Sequence, residues 1–192
     1  VGIWNTHKRW PEYMPQKALD GTQAADIRAS LAKEPENAPI SDLYLRFIVE
    51  EVKPFVDSEY RTLPGPENTV VMGSSMGALI SLYALCEYPE TFGGAACLST
   101  HWPAAAEALL AYLARALPRP GRHRLYFDYG TEDVDAPYEP YQTQADAVMR
   151  AAGYREGIDW RTVKFPGAGH SERAWRERVH IPVQFLLEGR AD

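Results

Sequence analysis

The sequence predicts an α/β fold with a mostly parallel sheet and helices on both faces. Three observations carry that expectation. Strand-like stretches recur at residues 70–72, 93–98, 124–129 and 161–165. Stretches of helical length separate them, and parallel strands need connections of that length. Breakers such as Pro103, Pro118 and Gly153 stand at the joints. Right-handed crossovers then follow, with the chemistry-bearing loops at the carboxyl ends of the strands.

The elements read as follows. Val1, Gly2, Ile3 and Trp4 look like the tail of a strand, and residues 5–39 like a surface excursion with one short helix. Ile40, Leu43, Tyr44, Phe47, Ile48, Val52, Phe55 and Val56 repeat at helical spacing, with Ser41 or Asp42 as caps and Pro54 tightening the last turn. Val70, Val71 and Met72 form a buried strand, and the residues from Ala78 to Leu85 a helix that is apolar nearly all round. A strand at 93–98, a helix from Pro103 to Pro118 and a strand at 124–129 come next. A helix at 139–152, a strand at 161–165 and a last helix complete the order; that helix runs from Ser171 to Gly189 and bends at Pro182.

The 192 residues, 45% hydrophobic and 24% charged, suit a single domain over residues 1–192. A net charge of −6 argues against nucleic acid or an anionic membrane as a main partner. No apolar run approaches the ~20 residues of a membrane span. Cys86 and Cys97 read as small core residues, and no disulfide scaffold is expected. Neither a metal cluster nor a phosphate-cradling loop stands out, so no cofactor and no metal site is implied. Two cysteines fit a cytoplasmic, periplasmic or secreted protein alike.

The most informative stretch is Gly73-Ser74-Ser75-Met76-Gly77, lying between a strand and a helix. G-x-S-x-G in that setting is a nucleophile elbow, a turn so sharp that the serine stands above the sheet edge. Glycine at Gly73 and Gly77 gives the two backbones room to cross. Ser75 is thus the candidate nucleophile, and a serine hydroxyl needs a histidine base oriented by a carboxylate. Of the five histidines, His170 sits in the glycine-rich turn between the last strand and the last helix, in the chain order Ser, acid, His. His101 also follows a strand and is better suited to a pocket wall. Asp128 is still in its strand; Glu132, Asp133 and Asp135 share the next loop, and spacing alone does not choose among them. The N–H of Met76, opening the helix, is the natural first oxyanion donor. No second donor stands out. Trp4, Arg9 and Trp102, with Tyr138 and Tyr141, are candidates for the substrate pocket or, equally, for packing.

Several motifs together resemble the putative-esterase family of α/β-hydrolases, which includes enterochelin-esterase-like and esterase-D-like enzymes. They are Val1 to Thr6 with Arg9, Glu12, Tyr13 and Pro15; Phe47 to Pro54; Tyr60 to Thr62; the elbow; Tyr88 to Gly93; Asp128 to Glu132 with Asp135; and Gly167 to Glu172. The resemblance implies an α/β-hydrolase fold, Ser75 as nucleophile, His170 as base, and Asp135 in preference to Asp133 as acid. It implies a serine carboxylesterase acting on a small-molecule ester. An acyltransferase using the same acyl-enzyme and a catalytically silent binding module are the alternatives. Family members begin well upstream with strands that feed the sheet. This chain lacks them, which leaves an upstream segment or a partner chain to complete the sheet edge.

Overall fold

Residues 1–188 are described by the computed structural model. The four predicted strands assemble into one parallel sheet in the order β1-β2-β3-β4. These are β1 (Val70–Ser74), β2 (Gly94–Leu98), β3 (Arg124–Gly130) and β4 (Trp160–Phe165). Because strand side chains alternate, Ala95, Cys97, Leu125 and Phe127 enter one core, while Ala96, Leu98 and Tyr126 enter a second on the opposite face.

The crossover helices α5 (Met76–Glu87), α6 (Ala106–Ala116) and α7 (Glu139–Ala151) all bury side chains in the first core. Strands laid down in chain order with same-handed crossovers require this. The second face is covered by the C-terminal pair α8 (Glu172–Arg178) and α9 (His180–Leu187), through Phe185 and Leu186. Helices on both faces of a parallel sheet were expected, and the structure has them. Ser171 caps α8, its Oγ accepting the N–H of Ala174 at 3.3 Å. The C-terminal run breaks at Val179 rather than at Pro182, which sits in the first turn of α9, where its missing N–H costs nothing. The expected end at Gly189 lies outside the described residues.

Ahead of the sheet, residues 1–69 hold no strand among the described residues. Val1 to Trp4 do not form a strand tail: they carry no regular structure, Val1 being 91% exposed with no neighbouring strand to share hydrogen bonds. The excursion holds two short helices rather than one, α1 (Arg9–Tyr13) and α2 (Ala25–Leu31), linked by 3₁₀ turns. Tyr13, Met14, Ala18 and Leu19 fasten this segment to the first core.

The helical spacing from Ile40 onward yields α3 (Ser41–Phe47), a π-helical turn (Ile48–Val52) and α4 (Lys53–Glu59). The widened turn falls just before Pro54, which cannot complete an i→i−4 hydrogen bond. Neither proposed cap acts as one. Ser41 Oγ instead accepts the N–H of Gln16 at 2.9 Å, and Asp42 accepts the hydroxyl of Tyr83.

Helix α5 underlies the elbow and is buried nearly all round; Leu79 has no exposed surface. Leu79→Ala is expected to cost about 3 kcal/mol, from lost burial plus the cavity left behind. The measurement is the shift in urea midpoint at unchanged slope.

Candidate active site

Each strand delivers one polar residue to the carboxyl edge of the sheet: Ser75 after β1, Ser99 after β2, Asp135 after β3 and His170 after β4. This is where an open parallel sheet places its ligands.

Ser75 joins β1 to α5 with φ +58° and ψ −121°, a conformation costing a non-glycine residue on the order of 1–3 kcal/mol. Its N–H is held by the Leu98 carbonyl at 2.9 Å and its own carbonyl accepts from His101 N at 3.4 Å, so β2 and the loop that follows it maintain the strain. The two glycines differ in role. A Cβ on Gly73 would lie 2.3 Å from the Gly77 carbonyl oxygen, whereas a Cβ on Gly77 would meet nothing within 4 Å. Only Gly73 is needed for the crossing. Met76 is the first residue of α5, so its N–H belongs to the first turn, where amides lack intrahelical partners.

Two loops meet beside the elbow. The Ala168 carbonyl accepts the N–H groups of Thr131 and Glu132 at 3.0 and 3.1 Å, and Thr131 Oγ1 accepts from Gly167 N at 2.8 Å. Gly130 permits this approach, because a Cβ there would lie 2.1 Å from the Ala168 oxygen. The stitched loops set His170 Nδ1 2.5 Å from Asp135 Oδ1. Asp135 Oδ2 accepts the Ser99 hydroxyl at 2.6 Å and Gly130 N–H at 2.7 Å. Glu132 and Asp133 are exposed, and Asp133 points toward Gly169. Asp128 is fully buried in the sheet and bonds Arg178 Nη2 at 2.9 Å.

Burial alone would raise the Asp135 carboxyl, but the bonds from His170, Ser99 and Gly130 outweigh it and hold the group below its ordinary value. Burial pushes the Asp128 carboxyl up to about 6 against the pull of Arg178. His101 is lowered by burial and then by the nearby His170 and Arg9, so it stays neutral at neutral pH. Its Nδ1 lies 2.6 Å from the Tyr138 hydroxyl.

Ser75 and His170 line one open cleft of ≈ 960 Å³, together with Arg9, Glu172, Trp175 and the length of β1. Among the described residues the two side chains share no hydrogen bond; catalytic contacts of this kind often tighten only with substrate. Of the pocket candidates, only Arg9 among Trp4, Arg9 and Trp102 lines the cleft. Trp4 is 93% exposed and outside the lining. Trp102 is a core residue, packed against Phe127 and donating Nε1–H to Gln142 Oε1 at 3.1 Å. The strand-end position of Trp102 suggested a wall, but its side chain points inward. Sequence reasoning missed Ser99, Trp175 and Arg178; the one signal was that Ser99 directly follows the strand beside the elbow.

Residues 12–182 match the esterase family described as "Putative esterase", and the chain belongs to that family. Carboxylesterase SOBER1 of Arabidopsis thaliana is 27% identical over 134 residues, covering 70% of this chain and 55% of that protein. An IroE-like serine hydrolase from Shewanella oneidensis aligns over 98% of this chain and 57% of its own with a TM-score of 0.66 at 18% identity. The enterobactin esterase of Shigella flexneri, solved in the presence of enterobactin, gives a TM-score of 0.60 at 25% identity, over 76% of this chain and 36% of its own. These neighbours have α/β-hydrolase-like folds, and the present fold is of that class. The chain spans about half the length of the carboxylesterase it matches. Among the described residues there is no metal-ligand cluster, and no helix is long and apolar enough to cross a membrane.

Two outcomes follow for stability. Gly73→Ala should cost about 3 kcal/mol through overpacking, while Gly77→Ala should hold or slightly gain stability, helix propensity favouring alanine; thermal melts of both compare them. A lowered carboxylate contributes stability above the unfolded value near pH ~4 and loses it as pH falls through the folded value. Acid unfolding of Asp135→Asn should therefore depend less on pH below about 4 than that of the native protein.

Proposed function

We propose that this chain hydrolyses carboxylic esters of small molecules through an acyl-enzyme on Ser75. The observation that carries the reading is the 2.5 Å contact of His170 Nδ1 with Asp135, in a histidine that lines the same cleft as a strained serine. With Nδ1 committed to the carboxylate, Nε2 is left to act as general base.

His170 takes the proton of Ser75 Oγ as the oxygen attacks the ester carbonyl. The tetrahedral oxyanion is met by the N–H of Met76, a donor worth about 3 kcal/mol in such sites. Collapse breaks the C–O bond, and the alcohol leaves with the proton from His170. Water, deprotonated by His170, then cleaves the acyl-enzyme and regenerates Ser75. Asp135 stays ionised throughout and stabilises the imidazolium. Membership of the esterase family and the names of its relatives support ester hydrolysis as the chemistry. Arg9 at the cleft is the polar group we assign to substrate contact. Among the described strands β1 pairs only with β2, and we read its free edge as the place where a further segment or a partner chain would extend the sheet.

Ser75→Ala should reduce turnover of a p-nitrophenyl short-chain ester by at least about 10⁴-fold with the fold intact, and abolish labelling by a fluorophosphonate. Asp135→Asn should lose about 10³–10⁴-fold, and Asp133→Asn almost nothing. Unchanged turnover in Ser75→Ala would end the proposal.

A further inference from the structure

The geometry points to Ser99 as a positioning residue that fixes the Asp135 carboxylate toward His170, an assignment that rests on the catalytic reading above. Ser99 follows β2 directly, has no exposed surface and adopts φ +44°, a left-handed backbone uncommon for a serine. That backbone is pinned by Asp128, whose carbonyl and Oδ1 both accept Ser99 N–H, at 2.9 and 3.1 Å.

Three groups surround its hydroxyl: Asp135 Oδ2 at 2.6 Å, Arg178 Nη2 at 2.9 Å and Trp175 Nε1 at 3.0 Å. Tryptophan and arginine can only donate, so they fill both acceptor positions of the hydroxyl. Its single proton must therefore go to Asp135. The direction of every bond in the cluster is fixed without choosing a rotamer for any hydrogen.

Two consequences follow for the catalytic pair. Asp135 Oδ2 is occupied by Ser99 and by Gly130 N–H, so the carboxylate cannot rotate without breaking both bonds, and Oδ1 is left for His170. The Arg178 charge, itself anchored 2.9 Å from Asp128, polarises the hydroxyl and through it withdraws electron density from Asp135. Trp175 adds a second restraint by setting its ring edge-on to His170, with centroids 4.9 Å apart. The helix that supplies both donors thus acts on the catalytic pair through one buried hydroxyl.

The test compares the native chain with Ser99→Gly and Ser99→Ala. Glycine removes the hydroxyl and relieves the left-handed backbone, while alanine removes it and keeps the backbone constraint, so agreement between them isolates the hydroxyl. The downfield proton resonance of His170 Nδ1–H reports the pair directly, whether or not Ser75 turns over. It should move or broaden in both variants, with kcat lowered about tenfold and KM unchanged, as for an interaction expressed only in the transition state. A resonance of unaltered position and width in a folded variant, or an unaltered kcat, overturns the assignment. Failure of the catalytic reading looks different: a fluorophosphonate would not label native Ser75, and the resonance alone would then judge the role of Ser99.

Discussion

The passage of β1 over the first turn of α5 decides where everything else must stand. Gly73 faces the Gly77 carbonyl at a separation that excludes even one methyl group. Between these two residues the chain passes through Ser75 at a positive φ of +58°. Strain of this kind persists only when its surroundings over-determine it. Here they do: α5 is sealed in the core, β2 holds the N–H of the turn, His101 in the loop after β2 holds its carbonyl, and the sheet register fixes Ser74 against Leu98. A hydroxyl presented this way cannot retreat into a helix or a strand. It remains at the carboxyl edge of the sheet, where the following strands must deliver its partners.

Those partners are delivered by burial as much as by direction. A carboxylate as enclosed as Asp135 would ordinarily lose its charge, and it keeps it only because three donors converge on two oxygens. Asp128, within β3 itself, has a cation beside it yet burial pushes it up to about 6. Both carboxylates accept hydrogen bonds, and they differ in which side wins: desolvation at Asp128, the donors at Asp135. Loop geometry serves the same end, since the close approach of Gly130 to Ala168 brings the third and fourth strand ends into register.

Much of this was legible in the sequence, for identifiable reasons. Strand-like stretches set between helical periods marked all four strands, most clearly β2 and β3, which are buried almost throughout. The serine, the histidine and the acidic loop were legible because each falls at a strand-to-helix joint. Side-chain direction was not. Trp102 sits where a pocket wall was expected but turns inward to Gln142, and Ser41 is spent on Gln16 rather than on its own helix. Gly77 was credited with a steric role that belongs to Gly73 alone. Ser99 went unnoticed because its importance comes from groups near positions 128, 135, 175 and 178, which only the folded chain brings together.

The placement of α8 and α9 has a temporal side. These helices close the second face of the sheet, and α8 also carries the indole and guanidinium that converge on Ser99. On the ribosome they emerge after all four strands and after His170 itself. A nascent chain can therefore hold Ser75, Asp135 and His170 before the brace behind them exists. Sealing the apolar face and tightening the polar cluster then become one event, so maturation of the site is tied to the last step of burial.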